Sequence, residues 1–106
     1  MSDLKSSDIQ EIMRYIRKKT TKGPGYVWDF NDITFQEFIE GCTGCDIDEE
    51  KYKGKGTSKE KRFRQFLIIE ENSRVILLLE EIVDYGIRRN LLLKTYVPKI
   101  NKIIKN

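Results

Sequence analysis

Residues 57 to 86 hold the densest apolar positions in the chain, and their spacing constrains the fold more than any other feature. Phe63, Phe66 and Leu67 recur at i, i+3, i+4, which is one face of a helix, and Ile68 and Ile69 widen that face. Thr57-Ser58-Lys59-Glu60 ahead of them has the pattern of a capping box. In that device a hydroxyl accepts an orphan backbone N–H and the glutamate reaches back to the cap. Asn72-Ser73 interrupts the pattern and offers a new cap. Val75, Leu78, Leu79, Ile82 and Val83 then repeat at i, i+3, i+4, i+7, i+8. Ile76 and Leu77 add apolar surface on the other side. A helix apolar on most sides belongs in a core. Gly86 is suited to the left-handed conformation that closes a helix. At roughly 1.5–3 kcal/mol for each fully buried large apolar side chain, this helix pair carries much of the folding energy.

The flanking stretches are expected to pack onto that pair. Ser7-Asp8-Ile9-Gln10 is another capping-box pattern, and Ile9, Ile12, Met13 and Ile16 give a helical stripe. Arg14, Arg17, Lys18 and Lys19 lie around its other faces. Residues 20 to 31 form a loop that turns at Lys22-Gly23-Pro24-Gly25. Its aromatic run, with Tyr26, Trp28 and Phe30, is either a short extended segment or a lid folded onto the helices. Trp28 is expected to anchor the core, with partner contact by Tyr26 and Trp28 as the alternative.

A further helix starts with Thr34 as cap, Glu37 completing the box and Ile33 stapled onto Phe38. Phe35, Phe38, Ile39 and Cys42 form its inward face, and Gly41 and Gly44 bracket its end. Ile47 and Tyr52 are expected to turn inward, and residues 51 to 56 to form a mobile hinge. Pro98 fits the first turn of a last helix, with Ile100, Ile103 and Ile104 as its stripe. The expected architecture is all-α, a bundle of four to five helices. Residues 1–86 make the helical domain, and residues 87–106 a helical tail that packs on it or leads to a further domain.

Several functions are excluded or weakened by composition. The chain has 106 residues, no histidine and two cysteines. Without histidine it lacks the commonest general base and metal ligand, and no His-dependent serine or cysteine nucleophile can be assembled within it. Cys42-Thr43-Gly44-Cys45 supplies two of the four ligands that structural zinc needs. The pair also falls at a helix end whose dipole disfavours a thiolate, so two reduced thiols are expected. Asp46, Asp48 and Glu50 mimic the start of a calcium loop, but Lys51 and Thr57 stand where glycine and glutamate are required. Gly54-Lys55-Gly56-Thr57 lacks the spacing of a phosphate-binding loop. No enzyme activity, cofactor or metal is expected. No apolar run approaches the ~20 residues of a membrane span, and the start lacks a signal-like apolar region, so a soluble cytoplasmic protein is expected.

Charge comes in blocks that the formal net of +3 hides. Residues 29 to 50 carry eight acids and no base, residues 51 to 64 seven bases and one acid, and residues 88 to 105 six bases and no acid. Segregated charge steers partners. Lys53, Lys55, Lys59, Arg62 and Arg64 lie near a helix N-terminus and are the candidate anion or nucleic-acid contacts.

Residues 25 to 85 also resemble a small domain at the N-terminus of bacterial abortive-infection and related anti-phage proteins. The matching features are Gly25-Tyr26, Asp29-Phe30, Phe35, Phe38, Asp46-Ile47-Asp48 and Tyr52. Gly56-Thr57-Ser58-Lys59, Arg62-Phe63 and the apolar run 76 to 79 complete them. The resemblance implies an accessory role ahead of an effector module: sensing, self-association or holding the effector through protein contact, without chemistry. The sequence departs from that arrangement by ending at Asn106, as expected of either an excised domain or one that acts alone, and no catalytic residue transfers from the family. A small basic helical nucleic-acid-binding module is the alternative expectation.

Overall fold

Helix starts are set by which polar side chain reaches the first free N–H groups. The computed structural model describes residues 4–17, 28, 30–92 and 94–105, arranged as an all-α bundle with no strand among them. The helices are α1 (Ser6–Arg17), α2 (Asp32–Thr43), α3 (Lys59–Ile69), α4 (Asn72–Arg88) and α5 (Val97–Lys105). Short 3-10 turns at Glu50–Tyr52 and Lys94–Tyr96 precede α3 and α5. The extended aromatic segment is therefore absent at Trp28 and Phe30, and the rest of that run, Tyr26 included, lies outside the described residues.

Several helix ends differ from expectation, among them the start of α4, where Glu71 and not Asn72 or Ser73 holds the cap position, with no side-chain cap bond. α2 begins earlier because Asn31 outcompetes Thr34: its Oδ1 accepts the Thr34 N–H at 2.8 Å, and Thr34 Oγ1 accepts the Asn31 N–H at 3.0 Å. Thr34 thus closes the box from inside the helix, and Ile33 is left 72% exposed instead of stapled. α3 is capped by Ser58, whose hydroxyl accepts the Lys61 N–H. Thr57 instead offers its carbonyl to Arg62 Nε at 3.0 Å. α4 runs past Gly86 to Arg88, and the left-handed residue that turns the chain is Asn90, at φ 59°. The expected glycine closure holds at Gly44, which ends α2 at φ 77°.

α1 and α2 lie against α3 and α4 respectively, and α5 against α4. Their inward stripes merge into one core that includes Ile12, Ile16, Phe35, Ile39, Phe63, Phe66, Leu78 and Ile82. Ile47 and Tyr52 are fully buried, so the stretch 51 to 56 is anchored to the core at Tyr52. Leu92, Ile100 and Ile103 join the same core, which places the last segment on the bundle. A radius of gyration of 12.5 Å fits one packed unit.

Gly86 is needed for space. It is buried in the last turns of α4, and its carbonyl accepts the N–H groups of Leu91 and Leu92 where the chain folds back. A Cβ there would drive into the Trp28 ring and come within 2.8 Å of Leu92 Cβ. Overpacking costs about 1–3 kcal/mol, against about 1 kcal/mol gained from helix propensity. Gly86→Ala should therefore lower the melting temperature despite being a better helix former. A thermal melt at or above the wild-type value would show that Trp28 and Leu92 yield.

Candidate functional site

The charge blocks of the sequence meet one another in three dimensions, and that meeting decides which charges remain for a partner. Arg62 sits on the inward side of α3 and is 3% exposed. Its Nη1 donates to Asp48 Oδ1 at 2.6 Å, its Nη2 to Asp32 Oδ1 at 2.9 Å and its Nε to the Thr57 carbonyl. The guanidinium also lies 5.5 Å from the centre of the Phe35 ring. A planar fork with several donors suits such a junction better than an ammonium would. Lys59, 8% exposed, reaches the same Asp32 oxygen at 3.6 Å. Lys53 lies 3.9 Å from Glu50. Bases of the second block are thus spent on acids of the first.

The five residues expected to contact an anion are therefore not assembled as one face. Arg62 and Lys53 line a shallow recess together with Asp32 and Asp48, whose carboxylates oppose a further anion. Arg64, two residues on from Arg62, lies between α1 and α3 beside Ile9, Gln10 and Ile68, with Glu60 at 3.9 Å. Lys55 is exposed and apart from these contacts. Trp28 is 2% exposed, its ring 6.0 Å from that of Tyr85, so its side chain is a core anchor.

A second cluster lies at the α3–α4 junction. Glu70 is 5% exposed and accepts from Tyr52 Oη at 2.7 Å and Arg74 Nη1 at 3.1 Å. Lys51 Nζ lies 3.2 Å away and Cys45 Sγ 3.9 Å. Burial works to raise the Glu70 pKa, but the hydrogen bonds from Tyr52, Arg74 and Lys51 outweigh it and hold the carboxyl below its usual range. Burial first, and then the bond to Glu70, keep the Tyr52 phenol protonated. With these donors around it, the carboxylate is a poor general base. Nothing in the sequence pattern marked Glu70; only its position after the α3 stripe placed it near the core.

Cys42 is half-buried and Cys45 buried, both as free thiols. Burial, and then the Glu81 carboxylate, push the Cys42 thiol up to about 11. It is protonated at neutral pH, the opposite of a reactive cysteine. Among the described residues no cluster of acids and cysteines has the makeup of a metal site. No described helix is long and apolar enough to cross a membrane.

One block is left without internal acids. Arg88 pairs with Asp84 at 2.9 Å, but Arg89, Lys94, Lys99, Lys102 and Lys105 are exposed and make no ion pair among the described residues. They spread from the end of α4 to α5. The segment is fastened by Tyr96, stacked on Tyr15 of α1 at 4.3 Å between ring centres. Lys99 Nζ lies 5.9 Å from the Tyr96 ring centre, and the Arg14 guanidinium lies 5.6 Å from that of Tyr15. This basic, tyrosine-braced end is the strongest candidate working surface. The sequence showed its charge, but not that part of the other basic block, Lys59 and Arg62 above all, is consumed internally. Family models, curated proteins and solved structures, each compared with the chain, give no match.

Proposed function

We propose that this chain is a non-enzymatic contact domain, working through the basic surface of residues 88 to 105. The observation that carries this reading is the distribution of charge after folding. The cations of residues 51 to 64 that turn inward are tied to carboxylates, while five exposed cations near the C-terminal end have no internal ion-pair partner among the described residues. The titratable groups best placed for chemistry, Glu70, Tyr52 and Cys45, are buried against one another. Uncompensated surface charge destabilises a compact chain slightly and raises association rates with an oppositely charged partner.

A protein partner, including a second copy of the chain, is the other reading. It is favoured by the exposed acids Glu37, Glu40 and Glu49, which would complement the basic end. An accessory role in an anti-phage protein rests on the resemblance over residues 25 to 85. Light scattering tests the contact reading: the chain alone over a range of concentrations, and the chain with heparin as a generic polyanion, at low salt. A species heavier than the monomer is expected in at least one series. A strict monomer in both would contradict the reading.

A further inference from the structure

We infer that the basic end binds the phosphate backbone of nucleic acid with little regard to sequence. The inference rests on the contact reading above and names its partner. Three observations converge.

The first is charge without apolar anchors. The apolar stripe of α5 is used up inside, with Ile100 and Ile103 1% and 8% exposed. None of the exposed large apolar side chains falls within residues 94 to 105 among those described. Protein interfaces draw their affinity from buried aromatic and apolar anchors, and membrane-surface helices from an apolar face free to insert. Among the described residues 94 to 105, no strongly exposed apolar side chain is on offer for either. Phosphate contacts need only cations held at a surface.

The second is spacing. Lys99, Lys102 and Lys105 follow at three-residue intervals, so each step rises about 4.5 Å along the helix. Lys94, and Arg89 beyond it, extend the cations past the start of α5. A run of this kind can follow a strand of phosphates rather than one anion.

The third is the brace. Tyr96 has one face on Tyr15 and Lys99 near its ring, so it is engaged in holding the surface and is not a free platform for stacking bases. Four of the five unpaired cations are lysines, which meet phosphate as point charges, and this makes the binding backbone-led and sequence-tolerant.

The test is fluorescence anisotropy with a labelled duplex DNA and a labelled single-stranded RNA, each in two unrelated sequences. The wild-type chain is compared with Lys99→Gln/Lys102→Gln/Lys105→Gln and with the control Lys53→Gln/Lys55→Gln. All five lysines lie outside the core, and circular dichroism checks that both variants fold. The wild type should bind both sequences of each probe within a factor of about 2, with affinity falling steeply with salt. The triple variant should bind at least about 10-fold more weakly at low salt, and its duplex salt slope should shrink by about 2–3, near 0.9 for each phosphate no longer neutralised. The control should bind like wild type.

Weakened binding in the control with none in the triple variant would overturn the assignment. So would tighter binding to polyglutamate or to vesicles of anionic lipid than to either nucleic acid. If nucleic acid fails to bind while light scattering still shows a heavier species alone or with heparin, the contact reading stands and this inference fails. If nothing associates, both fail.

Discussion

Glu70→Ala should lower stability by about 3 kcal/mol and the melting temperature by roughly 10–15 °C. Glu70 closes α3, with its N–H on the Phe66 carbonyl, while its carboxylate gathers Tyr52, Lys51 and Arg74. Truncation leaves the Tyr52 hydroxyl buried without its acceptor, and that hydroxyl has no route to water in a fully buried residue. The two cations suffer less, because Lys51 and Arg74 are about half exposed and water replaces the carboxylate. Tyr52→Phe should cost less than Glu70→Ala, and the double variant little more than Glu70→Ala alone, as expected of partners in one network.

The same site fixes a pH dependence. A carboxyl held below its unfolded pKa contributes stability at pH values above the unfolded pKa, and that contribution fades as pH falls through the folded value. Wild-type stability should therefore decline below about pH 4.5, near the ordinary glutamate pKa, and Glu70→Gln should flatten that decline. Denaturant unfolding from pH 7 to pH 3 measures both. Equal slopes for wild type and Glu70→Gln would remove Glu70 from the acid response.

The second large effect is at Arg62. One guanidinium ties the start of α2, the loop after it and the approach to α3, through Asp32, Asp48 and the Thr57 carbonyl. Its head also lies over the Phe35 ring. Arg62→Ala should cost about 2–3 kcal/mol, counting its charge-assisted hydrogen bonds and the packing of its stem. Asp32 is 76% exposed and Asp48 51% exposed, so their single Asn variants should each cost under about 1 kcal/mol. Arg62→Lys should rescue only in part, since an ammonium cannot reach three acceptors in fork geometry. Chemical denaturation of the four variants checks the order. An Arg62→Ala variant as stable as wild type would mean that the junction is held by the apolar contacts alone.

Much of this fold was legible because helices announce themselves by period. The stripes Val75–Leu78–Leu79–Ile82 and Ile100–Ile103 are buried as their spacing requires, and Pro98 does sit in the first turn of α5. Caps slipped by one to three residues because neighbouring polar groups compete locally. Asn31 takes the α2 cap from Thr34, and Ser58 the α3 cap from Thr57. The need for Gly86 is not legible in sequence, because a glycine's backbone freedom is visible there whereas close approach by Trp28 and Leu92 is tertiary.

The candidate surface was half legible. All three charge blocks could be counted, but sequence cannot say which opposite charges meet. Folding lays part of residues 51 to 64 onto acids of residues 29 to 50, which removes Lys59 and Arg62 from a partner's reach and leaves the last block outstanding. The Glu70 cluster was not legible, since its members come from three separate stretches and no motif joins them.

The most direct measurement of the central claim is the change in backbone amide NMR shifts when duplex DNA is titrated into the labelled chain at low salt. The expected shifts concentrate in residues 88 to 105 and near Arg14, and fade as salt is raised. Shifts concentrated in residues 53 to 64, or no shifts with duplex in excess, would contradict it.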